Sequence, residues 1–158
     1  VHTAELVYLA GLTLTFSVIT SFTYFVRVVS ESMAPTLLVG DRLLVIRRGV
    51  LTRYFPARGQ IVVFTAGAKG SEGGSSRRRM VKRVAATGGD SIIVGDNFLA
   101  DGVCELKRVD VPAGGIYVLG DNRQVSRDSR EYGCIPSRQV TGLVVLVVWP
   151  LRRARVVR

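Results

Sequence analysis

At 158 residues the chain has room for one domain with a real core and not for two ordinary ones. Hydrophobic residues make up 47% of it and its mean hydropathy is positive, so a membrane segment is expected before any motif is read. The net charge of +10 permits contact with anionic lipid or nucleic acid, while a single histidine, His2, and two cysteines without ligand spacing exclude a zinc site.

The first element runs from Leu6 to Val26, "LVYLAGLTLTFSVITSFTYFV", 21 residues without a charge. As a helix rising ~1.5 Å per residue it reaches roughly 30 Å, the thickness of a bilayer's hydrocarbon. Thr13, Thr15, Ser17, Thr20, Ser21 and Thr23 dilute it. A cleavable signal peptide would have a basic start, whereas here only Glu5 precedes the apolar run, so a retained anchor over residues 1–27 is the reading. Arg27 and Arg42 lie on its C-terminal side, and positive-inside counting would leave residues 27–158 in the cytoplasm.

Residues 28–41, "VVSESMAPTLLVGD", follow, a proline-braced turn with two serines around Glu31. Beyond it the pattern changes to short β-like runs: 41–48, 59–66, 80–86, 90–94, 115–120 and 141–149. The Gly/Ser-rich stretch 65–79 reads as a mobile loop, and Gly95-Asp96-Asn97 as the turn of a hairpin. Residues 143–148 are too few to span a membrane and too rich in valine for anything but a buried strand. The expected architecture is mainly β, a β-rich catalytic domain over 28–158 preceded by one transmembrane helix. Cys104 and Cys134 could pair or stay as thiols. "SSRRR" and "PLRRARVVR" read as patches able to meet phosphates, of lipid at least as readily as of nucleic acid.

If Ser32 is a nucleophile it needs a base. His2 lies at the far end of the apolar segment, and arginine does not give up its proton. A carboxylate is rarely basic enough to activate an alcohol, which leaves the three lysines. Lys69 sits in the Gly/Ser loop, and Lys107 lies beside Glu105 and Asp110. Lys82 falls in "MVKRVAA", where strand alternation places Met80, Lys82, Val84 and Ala86 on one face. A lysine on an apolar face is desolvated, which favours the neutral amine. The same pattern also fits an edge lysine pointing to water.

"SESMAPTL" (30–37), "GDRLLV" (40–45), "MVKRVAATGGD" (80–90) and "GDNRQVSRDSREYG" (120–133) together resemble, in order, four sequence boxes of bacterial type I signal peptidases of the compact, single-anchor type. These are membrane-anchored Ser–Lys proteases with a β catalytic domain of the signal-peptidase/LexA kind. The resemblance implies Ser32 as nucleophile, Lys82 as general base, and Ser30 with the Ser32 amide as oxyanion hole. It implies Ser126 as the hydroxyl that orients the lysine, with Asp128–Arg130 and Asp121–Arg83 as supporting ion pairs. Met33 and Pro35 would shape the turn and substrate pocket. It further implies signal-peptide cleavage of preproteins with small residues at −1 and −3, no cofactor, a bacterial membrane, and a catalytic domain on the exoplasmic side, against the charge bias. No nucleic-acid partner is expected, and oligomeric state is left open.

Two positions depart from the family pattern. Gly88 stands where proline is usual, and Glu31, between the serines, brings a charge able to raise a nearby lysine's pKa. A self-cleaving LexA-type repressor would need a DNA-binding domain ahead of the nucleophile, and only 29 residues precede Ser30. The remaining alternative is a catalytically degenerate or non-enzymatic, membrane-anchored basic protein that binds anionic lipid or nucleic acid.

Overall fold

The computed structural model describes residues 2–50, 55–67, 77–98 and 104–157; Lys69 and most of the 65–79 loop lie outside them. Helix α1 covers His2–Phe22, and the chain then turns into strand β1, Thr23–Arg27. The helix therefore stops four residues short of the expected end at Val26. The reason is a partner: β1 pairs antiparallel with β2 (Arg42–Arg47), from Thr23 opposite Ile46 to Arg27 opposite Arg42. "TYFVR" is aromatic and β-branched, so sheet pairing suits it better than another helical turn. Among the described residues no helix is long and apolar enough to cross a membrane.

The remaining strands are β3 (Ile61–Gly67), β4 (Arg77–Thr87), β5 (Ser91–Phe98), β6 (Cys104–Asp110), β7 (Gly115–Leu119), β8 (Ile135–Pro136), β9 (Val140–Trp149) and β10 (Arg155–Val156). The expected mainly β architecture is therefore what forms. The large sheet has the order β1-β2-β9-β3-β4-β7-β8, with β10 also on β9, and every pairing is antiparallel. Strands β5 and β6 form a separate ribbon. Gly95 to Asn97 are part of β5 itself, which continues to Phe98, and are not the turn of a hairpin. Helix α2 is a single turn, Ser129–Tyr132.

Strand β3 is covered on both faces. Ile61 and Val63 join one apolar cluster with Val28, Met33, Leu37 and Val144. Val62, Phe64 and Ala66 join another with Val84, Ile116 and Val140. Such two-sided cover explains the continuous apolar run of this strand, where a sheet with one wet face would alternate. Met33 is thereby a core residue beneath the Glu31–Met33 turn. Gly88 also finds its reason: a Cβ there would lie 2.9 Å from the Gly114 nitrogen and 3.0 Å from the Pro112 carbonyl oxygen. The Thr87–Asp90 turn packs too closely on 112–114 for a proline ring.

Candidate active site

Ser32 lies in a single 3₁₀ turn, Glu31–Met33, held between two apolar anchors, Val28 and Met33, both buried. Ser30 precedes the turn in extended conformation. As the second residue of so short a turn, Ser32 has no carbonyl three residues back within it, which leaves its amide available as a donor. The Ser32 carbonyl is taken by the Asn122 amide at 3.1 Å, tying the turn to the loop after β7. The Ser30 and Ser32 Oγ atoms are 3.2 Å apart.

Lys82 comes from the middle of β4, directly opposite Val62 of β3. Its face is the apolar one: Met80 and Val84, two residues either side, pack with Val62 and Phe64. Ala86, expected on that face as well, enters a different cluster because the pairing with β7 shifts register between Val84 and Ala86. Lys82 is 4% exposed and Ser32 8%, and Lys82 Nζ sits 2.5 Å from Ser32 Oγ. Burial lowers the lysine's pKa from 10.5; the Asp128 and Asp121 carboxylates oppose this and the Arg130 guanidinium assists it. Glu31 is exposed and is not among the charges acting on Lys82, so the expected interference from that position does not arise.

The loop after β7 frames the pair. Asp128 is fully buried and accepts hydrogen bonds from the Gly120 amide at 2.9 Å and the Arg130 Nε at 2.9 Å, while also capping α2 through the Arg130 amide. Burial opposes its ionisation, but Arg130 and the Gly120 amide outweigh burial and hold its pKa below 3.8. Arg130 spans the loop as well, donating to the Arg123 and Ser126 carbonyls. Arg83, next to Lys82 in sequence, forks onto Asp121 at 2.9 and 2.8 Å and reaches the Gly59 carbonyl. The structure thus brings Ser30, Ser32, Lys82, Arg83, Asp121, Asp128 and Arg130 into one region.

Ser126 is placed differently from its implied role. Its Oγ is buried near the Asp128 carboxylate, close enough to help lower that pKa, yet makes no hydrogen bond of normal geometry, to Lys82 or to anything else. Sequence reasoning assigned no role to Gly120, although it opens the quoted "GDNR" motif. A Cβ there would lie 2.1 Å from Ser126 Oγ and 2.5 Å from the Ser32 carbonyl oxygen. Only glycine lets the three segments meet.

A cleft of about 370 Å³ lies at the other end of β7, between Pro112–Gly115 and Cys134–Arg138, and includes none of these residues. Cys134, on its wall, is a free thiol whose pKa burial raises. The Cys104 side chain lies outside the described residues. Among the described residues no three His, Cys, Asp or Glu side chains gather as metal ligands would.

A buried serine at hydrogen-bond distance from a buried, easily neutralised lysine is the equipment of an acyl-transfer site, with a second hydroxyl and a backbone amide beside it. Comparison with known proteins agrees in class. Residues 2–104 and 99–149 match the family described as signal peptidase, peptidase S26. A signal peptidase I of Leptolyngbya laminosa is 34% identical over 140 residues, covering 78% of this chain and 68% of that protein. Signal peptidase IB of Staphylococcus aureus is 30% identical over 151 residues, covering 76% and 74%. A probable thylakoidal processing peptidase 2 of Arabidopsis thaliana is 34% identical over 135 residues, but this chain spans only 36% of its length. A solved signal peptidase I from Enterococcus faecalis has a TM-score of 0.43 and 23% identity, with 57% of this chain and 97% of that one covered. The chain belongs to the signal peptidase family, peptidase S26, and is a peptidase of the serine class.

Proposed function

We propose that the protein removes N-terminal signal peptides from exported preproteins, with Ser32 as nucleophile and Lys82 as its general base. The observation that carries this reading is the 2.5 Å approach of Lys82 Nζ to Ser32 Oγ, with both residues buried. With Lys82 neutral, the serine hydroxyl donates to the amine, and the proton passes to Nζ as Oγ attacks the scissile carbonyl. The oxyanion is met by the Ser32 amide and the Ser30 hydroxyl; loss of one such donor typically costs ~10²–10³ in rate. The resulting ammonium protonates the leaving amine, and Lys82 then deprotonates the water that releases the acyl group. Asp128, Arg130, Arg83 and Asp121 hold the strands and loop that present the two residues. Ser126 would orient Lys82 only after its hydroxyl turns from its present position.

Substrates are preproteins, a reading supported by the names of the relatives, and small residues at −1 and −3 are what the resemblance of the sequence boxes implies. Helix α1 attaches the domain to the membrane, with the catalytic domain on the exoplasmic side. What supports the attachment, though not the side, is that every described side chain of α1 is exposed, Val7, Leu9, Leu12, Leu14, Val18 and Phe22 among them. A helix apolar all round belongs in lipid or in a core, and here no core covers it. Its polar residues are neutralised locally: the Thr13, Thr15, Thr20 and Ser21 hydroxyls donate to carbonyls three or four residues back. The anionic headgroups of such a membrane would complement the net charge of +10. A non-enzymatic basic protein would have no use for a buried lysine beside a buried serine.

The test is cleavage of a preprotein with an Ala-x-Ala site, in detergent or lipid, by wild type, Ser32→Ala and Lys82→Met. Cleavage after the final Ala, lost by at least ~10³-fold in both variants, is the expected result. Activity surviving Lys82→Met would remove the lysine from its role, and a folded wild type that cleaves nothing would end the enzymatic reading.

A further inference from the structure

The arginine-rich C-terminal segment reads from sequence as an anionic-ligand patch, yet two of its arginines, Arg153 partly buried and Arg155 at the surface, bind back onto the 28–41 loop. Asp41 is 1% exposed and its carboxylate is gripped by Arg153 through two bonds of 3.0 Å, Nε to one oxygen and Nη2 to the other. The same carboxylate accepts the Leu38 amide at 2.9 Å, and the Asp41 carbonyl accepts the Val28 amide at 2.9 Å. Asp41 therefore closes the loop that begins at Val28 and contains Ser30 and Ser32. Burial resists ionisation of Asp41, but the bond to Arg153 and the Leu38 amide prevail and keep its pKa low.

Arg155, two residues on, donates from Nη2 to the Thr36 carbonyl in the same loop. The Thr36 side chain in turn helps to lower the pKa of the Asp121 carboxylate, and Asp121 is the partner of Arg83, the neighbour of Lys82. A third contact is apolar: Val157 packs on the cluster that holds Val28, Met33 and Leu37. The segment reaches this position because Pro150 and the 3₁₀ turn Leu151–Arg153 reverse the chain after β9, and β10 then pairs back with Val147 and Leu146.

We infer that residues 151–157 form a clamp in which Arg153 and Arg155 are positioning residues that hold the nucleophile loop in register with Lys82. This rests on the reading of Ser32 as nucleophile. The loop between Val28 and Asp41 has no sheet ladder of its own, so its geometry depends on its end ties, on the Asn122 bond to Ser32, on the buried Met33 and Leu37, and on the clamp. Displacing a nucleophile by about 1 Å can cost ~10²-fold in rate. Lysine at 153 cannot replace the fork, because it offers a point charge where two parallel bonds are needed.

Hydrogen exchange across residues 28–41 and steady-state cleavage of an Ala-x-Ala preprotein test this on the full chain. The proteins compared are wild type, Arg153→Ala, Arg153→Lys, Arg155→Ala and, as a reference, Ser32→Ala. Arg152→Ala serves as control, since Arg152 lies in the same segment but is exposed and is neither of the two positioning arginines, and it should match the wild type. The clamp predicts faster exchange confined to 28–41 in both alanine variants, a kcat reduced ~10–100-fold with KM within about twofold, and partial recovery in Arg153→Lys. Should Arg153→Ala fail to fold, Arg155→Ala, at an exposed position, carries the same prediction. Unchanged exchange, or faster exchange with unchanged kcat, overturns the clamp. Failure of the underlying reading looks different: Ser32→Ala would then cleave like the wild type.

Discussion

Two lysines sit in the middle of strands in this molecule, and their regions differ in one respect. Lys82 lies on β4, with β3 and β7 on its two sides and apolar clusters around it. Lys107 lies on β6, half of a two-stranded ribbon with Ile93 and Leu106 exposed beside it. Each lysine follows a hydrophobic residue and precedes an arginine, Val81-Lys82-Arg83 and Leu106-Lys107-Arg108. What separates them is the layer that covers the strand, since desolvation is a property of the surroundings and not of the residue. The ion pairs follow the same division. Arg130–Asp128 is almost wholly buried, whereas Arg108–Asp110 at 3.6 Å has both side chains about three-quarters exposed.

Breaking the two ion pairs gives the largest contrast. Asp128→Asn strands Arg130 and weakens both the α2 cap and the bond to Gly120, and is expected to cost ~3–5 kcal/mol in denaturant unfolding. Asp110→Asn in the ribbon is expected to leave the unfolding midpoint unchanged. Equal losses from the two would mean that burial is not what gives the site its rigidity.

A smaller effect is expected from Gly120→Ala, where the added methyl must push Ser126 or the Ser32 carbonyl aside. Overpacking of this kind costs ~1–3 kcal/mol. Cleavage should fall by more than stability suggests, because the displaced atoms belong to the nucleophile turn. A kcat equal to wild type would show that the loop after β7 does not position Ser32.

The smallest effect sharpens the account of Lys82 itself. Its folded pKa lies below 10.5, so between those two values the unfolded chain binds more protons, and stability rises with pH through that window. Below the folded value the full penalty of burying an ammonium is present. Lys82→Met removes that penalty: its melting temperature should exceed the wild type's at low pH, with the gap closing as pH approaches 10.5. A gap independent of pH would mean that packing of the methionine, and not charge burial, is responsible.

Much of this was legible in the chain. Six of the ten strands among the described residues coincide with runs visible by periodicity, from Arg42–Arg47 to Val140–Trp149, because strands in a covered sheet are rich in β-branched residues. Strand β6, "CELKRVD", was not, since a ribbon outside the core carries charges that resemble a loop's. Strand β1 was hidden for the opposite reason: its uncharged residues continue those of α1, and hydropathy does not mark where a helix gives way to a strand. Gly120 had a motif to signal it, while Thr36 had none, being one threonine among many.

By itself the sequence determined the strand-rich architecture, the short list of groups able to act as nucleophile and base, and the family, because these depend on residue type, order and local spacing. Tertiary structure alone decided that Lys82 is the lysine that loses its water, that the Ser126 hydroxyl is buried near Asp128 and not bonded to Lys82, and that Arg153 reaches back across the chain to Asp41. Each of those depends on which distant segments pack together. Fifty residues separate Ser32 from Lys82, and only the folded sheet closes that gap to hydrogen-bond distance.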